Sequence, residues 1–163
     1  MHKILLQIAR VGIKTEPAPP PDEALRRAAA RMSEEMLQLL GRALAIRELE
    51  IHATNNPYYN LEGLGIKFVA SPRHADMLLV TGPVSRNMEE ALRRTYEATP
   101  EPKLVVAIGD CGCSGGIFGE NYASCGAVSN VIPVDVAVPG CPPDPVAIMR
   151  GILTAVTASA KGR

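Results

Sequence analysis

Short continuous apolar runs punctuate the chain. They are free of charge at residues 77–81 and 104–108 and carry charged residues at 42–48, 66–70 and 134–138, most of them bounded by Gly, Pro or Asp. Runs of that length with turn residues at their ends read as buried strands. Between them the apolar residues recur at three- and four-residue spacing, the period of a half-buried helix. Asp22 is the expected N-cap of a helix reaching about Leu40, with Leu25, Ala28, Ala29, Met32, Met36 and Leu40 on its apolar stripe. Arg26, Arg27, Arg31, Glu34 and Glu35 form its solvated face. Residues 49–55 read as a helical turn. A second helix follows Ser85 and ends near Thr99, with Met88, Ala91, Leu92, Thr95 and Tyr96 inward; Glu89/Arg93 and Glu90/Arg94 are i,i+4 pairs outside. A last helix is capped by Asp144, has Pro145 in its first turn, and turns Val146, Met149, Ile152, Leu153 and Val156 inward. Strands alternating with helices predict an α/β fold, a mostly parallel sheet covered on both faces.

The 163 residues suffice for one sizeable core. The expected division is an N-terminal part, residues 1–41, and a single α/β domain, residues 42–163. Ile4, Leu5, Ile8 and Val11 stand at helical spacing among Lys3, Arg10 and Lys14, which suits an arm lying on a neighbouring subunit or near a membrane surface. Residues 16–21 form a proline-rich, extended linker. Charge is balanced, 17 basic against 17 acidic residues, and Trp is absent, so no basic field or stacking surface exists for nucleic acid. No apolar run approaches the roughly 20 residues of a membrane span. No small-residue cleavage site follows the N-terminal stretch, so a cytoplasmic protein with reduced thiols is expected.

Reduced thiols change the meaning of the cysteines. All four (Cys111, Cys113, Cys125, Cys141) lie between the fourth strand and the start of the last helix. Gly109-Asp110-Cys111 and Gly140-Cys141 each follow a strand, which delivers a thiol to the carboxyl edge of a parallel sheet, where open α/β folds keep their sites. The chemistry this suggests is an iron–sulfur cluster; the plainer reading of each is a small buried hydrophobe at a strand end. Cys113 is two residues from Cys111, a spacing that sends the two side chains apart more readily than Cys-x-x-Cys, and Cys125 sits in the loop Asn121-Tyr122-Ala123-Ser124-Cys125-Gly126. Gly109, Gly115, Gly116 and Gly140 would let backbone N–H groups approach cluster sulfurs. The glycine-rich stretch after Ile108 lacks the Lys-Ser/Thr of a P-loop and the spacing of a dinucleotide site. His2 and His52 have no metal-ligand spacing, and Asp110 and Asp135 are too far apart to read as an acid–base pair.

Three stretches carry a resemblance. They are Ser71-Pro72-Arg73-His74-Ala75-Asp76 running on through Val80-Thr81-Gly82-Pro83, then Gly109-Asp110-Cys111 with Gly115-Gly116-Ile117-Phe118, and Pro133-Val134-Asp135 through Pro139-Gly140-Cys141-Pro142-Pro143. Together they resemble the iron–sulfur small subunit of membrane-bound, energy-converting NiFe hydrogenases and formate hydrogenlyase, and the homologous 20 kDa-type subunit of respiratory complex I. The hydrogenase-type branch is the nearer, as Ile51-His52-Ala53-Thr54-Asn55-Asn56-Pro57-Tyr58-Tyr59 indicates. The resemblance implies a flavodoxin-like fold and one 4Fe–4S cluster on four thiolates, the third and fourth matching Cys111 and Cys141. It implies electron transfer between a ferredoxin-like iron–sulfur subunit and a large hydrogenase-like or 49 kDa-like subunit, in a complex with membrane-arm subunits. The chain would be peripheral, on the cytoplasmic side of the cell membrane. Arg73 and His74 would lie in a loop approaching the cluster, where positive charge stabilises its reduced form; an ordinary surface ion pair is the equally weighted plain reading. Glu48 or Glu50 would match an acid beside the family's first cysteine pair; a solvated glutamate at a helix start is the plainer reading.

That first pair is missing. Relatives carry a Cys-x-x-Cys loop after the first strand, whereas here Ala45-Ile46-Arg47-Glu48 runs directly into Leu49-Glu50-Ile51-His52. The difference has the size of a whole βα loop, about ten residues. A 4Fe–4S cluster normally has a thiolate on each iron. Cys113 and Cys125 restore the count to four and are candidate substitutes. The other readings are a cluster-less structural subunit of the same kind of complex, or a sequence from which a segment was lost.

Overall fold

The computed structural model describes residues 44–49 and 61–161, together with the positions Arg27, Ala30, Arg31 and Glu34. Those four positions are helical and exposed, in keeping with a solvated face in the first expected helix. That helix's cap at Asp22 and its apolar stripe lie outside the described residues. So do the arm at residues 1–14, the linker at 16–21, His2, Glu50 and the stretch 51–59.

Five strands form one sheet: β1 (Leu44–Leu49), β2 (Ile66–Phe68), β3 (Met77–Thr81), β4 (Leu104–Ile108) and β5 (Val136–Val138). Their order is β2-β1-β3-β4-β5 and every pairing is parallel. This is the flavodoxin-like winding, with its topological switch between β1 and β3. Three helices follow in the described residues: α1 (Arg86–Ala98), α2 (Gly109–Ser114) and α3 (Pro145–Lys161).

The two-residue period of the strands divides the core in two. Met77, Leu79, Val106 and Ile108 face α3 and meet Ile148, Met149, Ile152 and Val156. Leu78, Val80, Val105 and Ala107 face the other way, onto Leu92 of α1 and onto Val128, Val131 and Ile132. Continuous apolar runs are required because both faces are covered.

Some boundaries differ from the sequence reading, each for a local reason. Leu49 closes β1, paired with Val80, and does not open a helical turn. β2 ends at Phe68, although Val69 still donates to Ile46 O at 2.9 Å. β5 begins at Val136 because Asp135 continues the pairing partly through its side chain. Its N–H donates to Val105 O at 2.9 Å, and its Oδ2 accepts from Val105 N at 2.7 Å. Asp76 repeats the device before β3: its N–H donates to Ala45 O at 2.7 Å and its Oδ2 accepts from Ala45 N at 3.0 Å.

The α1 helix keeps its outer pairs, Arg93–Glu89 at 3.1 Å and Arg94–Glu90 at 2.7 Å. Of its five expected inward residues, Leu92 alone is buried; Thr95 and Tyr96 are half-buried, and Met88 and Ala91 are exposed. Those last two line an apolar hollow of about 350 Å³ with Val80–Ser85, at the carboxyl end of β3. Lys103 closes the other end of α1. Its Nζ donates to Tyr96 O at 3.0 Å and Thr99 O at 3.3 Å and lies 4.1 Å from the Tyr96 ring centre, a cation at a helix C-terminus.

Candidate functional site

The carboxyl edge of β4 and β5 is built by one aspartate. β4 ends at Ile108, Gly109 turns the chain with φ +81°, and α2 begins at once. Asp110 N donates to Gly140 O at 2.9 Å, and Asp110 Oδ1 accepts from Gly140 N at 2.7 Å. The residues immediately before Cys111 and before Cys141 are therefore tied to each other. Gly140 has no room for a side chain: a Cβ there would stand 2.6 Å from Pro143 Cα. Gly116 packs on Cys111 in the same way, its hypothetical Cβ 2.7 Å from the Cys111 sulfur.

The thiols themselves occupy distinct places. Cys141 is exposed and Cys111 half-buried, both on this edge. Cys113 lies two residues along a helix from Cys111, about 200° around its axis. Its thiol turns back toward the sheet and donates to Ala107 O at 3.7 Å. Burial pushes the Cys113 thiol up, a Val138 backbone hydrogen bond opposes this, and the Asp110 charge reinforces it. Cys125 belongs to the second core and donates to Glu89 Oε2 of α1 at 3.3 Å. Burial pushes the Cys125 thiol up, and its hydrogen bond to Glu89 adds to the rise. The Glu89 carboxyl is held below its ordinary value, first by Arg93 and then by Cys125.

This arrangement fixes an order of reactivity, because thiolate character and access govern alkylation. With iodoacetamide on the folded chain at pH 8, Cys141 is modified first, Cys111 next, Cys113 later and Cys125 last. Peptide mapping over time checks the order; early labelling of Cys125 contradicts it. The linkage has a definite sign. A thiol raised in the fold contributes fully below the ordinary thiol range, and the Cys125 contribution is lost as pH rises through its folded value. The depressed Glu89 contributes above the ordinary carboxylate range and is lost as pH drops through its folded value.

Other sequence expectations are relocated. Arg73 and His74 stand in a 3-10 turn before β3, beside Lys67 and Glu101 around a hollow of about 480 Å³. That is the amino edge of a parallel sheet, separated from Cys111 and Cys141 by the length of β3, roughly 16 Å. They do not approach the sulfur edge as expected. Asp110 and Asp135 sit at opposite edges and each binds backbone, so they form no acid–base pair. The N–H groups of Gly115, Gly116 and Gly140 are spent on Cys111 O, Ser114 Oγ and Asp110 Oδ1. The backbone of Glu48 lies in β1.

Asp110 is the residue that sequence reading undervalued. Its signal was local: an aspartate wedged between a strand-ending glycine and a cysteine. Asp110→Ala removes a charged acceptor and leaves Gly140 N unpaired, at a cost of about 2 kcal/mol. Asp110→Asn retains an acceptor oxygen and is expected to recover more than half of that in urea unfolding. Equal losses in the two variants would show that the carboxylate does not tie the loops.

The donor set can be judged against a cubane cluster, which asks for a thiolate on each iron. Among the described residues no group of three or more His, Cys, Asp or Glu side chains comes together to hold a metal ion. All four cysteines are described, one engaged with Ala107 and one with Glu89. The residues present do not fit a four-thiolate cluster.

Fold and edge together define a flavodoxin-like α/β domain with two tied, cysteine-bearing loops at the carboxyl ends of β4 and β5. Residues 47–155 match the family model described as NADH ubiquinone oxidoreductase, 20 Kd subunit, and the chain belongs to that family. The probable membrane-bound hydrogenase subunit mbhJ of Pyrococcus furiosus is 48% identical over 114 residues, 70% of this chain and 68% of that protein. Formate hydrogenlyase subunit 7 of Escherichia coli is 47% identical over 109 residues, 67% of this chain but 43% of that protein. The chain thus spans about two thirds of the first relative and less than half of the second. A chain in the structure of the membrane-bound sulfane sulfur reductase, an archaeal respiratory membrane complex, superposes with a TM-score of 0.68. It is 31% identical, and the match covers 79% of this chain and 78% of that one. Among the described residues no helix is long and apolar enough to cross a membrane.

Proposed function

We propose that this chain is a peripheral subunit of a complex I-like or energy-converting hydrogenase-like membrane complex, and that it serves there in assembly, with no 4Fe–4S cluster of its own. It would seat against a large hydrogenase-like or 49 kDa-like subunit on the cytoplasmic side, with residues 1–41 as an arm toward neighbouring subunits. The single observation that carries the cluster-less reading is the scatter of the thiols: Cys113 toward Ala107, Cys125 on Glu89, and Cys111 with Cys141 on the outer edge. Two thiolates are half of what a cubane requires. Membership of a complex rests on the relatives, which are subunits of a membrane-bound hydrogenase and a formate hydrogenlyase.

A second reading keeps the electron-transfer role. The Asp110–Gly140 tie holds two cysteine loops side by side, and a partner subunit would complete the ligands between this chain and a ferredoxin-like donor. Anaerobic reconstitution of the full chain with ferrous iron and sulfide separates the two. The cluster-less reading expects no sulfur-to-iron charge-transfer absorption with the chain alone, and in the complex none beyond that of a complex carrying Cys111→Ala/Cys141→Ala. Absorption in the complex that is lost on Cys111→Ala/Cys141→Ala supports the second reading, and absorption with the chain alone overturns the first.

A further inference from the structure

The hollow at the amino edge of the sheet, about 480 Å³, has the size of a small-molecule site. Three segments supply its charged lining: β2 with Lys67, the 3-10 turn Pro72–His74 with Arg73 and His74, and the turn before β4 with Glu101. The sequence dictates this placement. Ile66 and Phe68 pack on the first core, so the two-residue period of the strand turns Lys67 to the other face. Pro72 opens the 3-10 turn, where a missing N–H is tolerated, and Arg73 and His74 follow in its last turn.

The charges around the hollow divide into those the fold uses and those it leaves over. Both oxygens of Glu101 are held by Lys103, Oε1 by the ammonium at 3.1 Å and Oε2 by the backbone N–H at 3.3 Å. Asp76 Oδ2 accepts from Ala45 N at 3.0 Å. Lys67, Arg73 and His74 are exposed, and among the described residues none of the three side chains makes an ion pair or a hydrogen bond. Lys67, Arg73 and Lys103 thus stand against two carboxylates, Asp76 and Glu101, and His74 offers a further ring N–H.

That surplus of positive charge selects the occupant. It balances one compact anion with a charge of about −1 to −2, the range of a phosphate ester. An acidic peptide would instead bring several carboxylates against Asp76 and Glu101. The planar Arg73 guanidinium matches two phosphate oxygens at once, and Lys67 adds a point charge. Ala45, Val69 and Ala75 give the hollow an apolar floor, and Pro100 and Pro102 give it stiff walls, which suits a small carbon skeleton beside the phosphate. We propose that this hollow binds a phosphate ester through Arg73, Lys67 and His74, supplied by a soluble compound or by a phospholipid headgroup. The site lies at the opposite edge of the sheet from Cys111 and Cys141, so its occupancy does not depend on whether a cluster is present.

The test uses the full-length chain at pH 7 and low salt. Glycerol phosphate is titrated in a calorimeter, and vesicles of phosphatidylglycerol with phosphatidylcholine are sedimented with the chain, phosphatidylcholine alone serving as background. One probe at least is expected to bind saturably. Arg73→Gln and Lys67→Gln each weaken that binding by at least about tenfold. Arg150→Gln removes an exposed cation from α3, on the other face of the sheet, and leaves binding within about twofold of wild type. All three side chains are exposed, so melting temperatures stay within a degree or two of wild type. Binding of glycerol phosphate that inorganic phosphate displaces assigns a soluble ester. Binding of the phosphatidylglycerol vesicles alone assigns a headgroup. Binding of neither probe, binding that Arg73→Gln and Lys67→Gln leave unchanged, or equal loss with Arg150→Gln overturns the proposal.

Discussion

Gly140→Ala is expected to cost about 3 to 5 kcal/mol of folding stability. The added methyl group would stand 2.6 Å from Pro143 Cα and 2.9 Å from Pro143 N. Both are backbone atoms or close to it, so no side chain can swing away to make room. The residue also has φ +137°, a region that L side chains rarely enter. To accommodate the methyl, the Gly140-Cys141 loop must leave Asp110, so the two hydrogen bonds of that tie are lost with it. Gly82→Ala is the control. It also has a positive φ, +69°, but a Cβ there meets nothing within 4 Å. It should show the backbone penalty alone, about 1 to 2 kcal/mol. Urea midpoints measure both, and equal losses would mean that the Pro143 contact yields easily.

Leu79→Ala is expected to destabilise the chain by about 3 to 4 kcal/mol. Leu79 has no exposed surface, lies in the middle of the central strand β3, and pairs with Val106 of β4 on one side and Glu48 of β1 on the other. A cavity there has sheet backbone on both flanks and α3 above it, so little can collapse into it. Ile117→Ala removes a side chain of similar size from a 93% exposed position and should change stability by less than about 0.5 kcal/mol. The contrast separates a residue that holds the fold from one the fold leaves in solvent.

The strands were legible because both faces of the sheet are covered, which turns Met77–Thr81 and Leu104–Ile108 into uninterrupted apolar runs. The two later helices were legible through their caps and period; α1 follows Ser85, and Ile148 N donates to Asp144 O at 3.1 Å at the start of α3. Three things were not legible. The aspartates that extend the strand pairing, Asp76 and Asp135, have no periodic signal, since a side chain there substitutes for backbone. The inward face of α1 read as core, yet Met88 and Ala91 line an open hollow, because a period says which residues share a face and not what covers it. The edge on which a loop lies depends on strand direction: Ser71–His74 precedes a parallel strand and falls at the amino edge, far from the cysteines it was expected to approach.

For the site, sequence reading placed Cys111 and Cys141 after the fourth and fifth strands, where the structure has them. It could not say where Cys113 and Cys125 point. Cys113 follows Cys111 on a six-residue helix that the glycine-rich sequence Gly109–Ser114 did not advertise. Cys125 is drawn away by Glu89, a contact 36 positions distant in sequence. Ile117, Phe118 and Tyr122 sit among glycines with no helical or strand period, which was itself a signal that they serve neither a helix nor a strand.

The most direct measurement is a chemical count of iron and acid-labile sulfide in the anaerobically purified complex, made on wild type and on the double variant Cys111→Ala/Cys141→Ala. The cluster-less account predicts the same iron and sulfide per complex in both preparations. A loss of about four irons and four sulfides on removing the two thiols, the content of one cubane cluster, would contradict it.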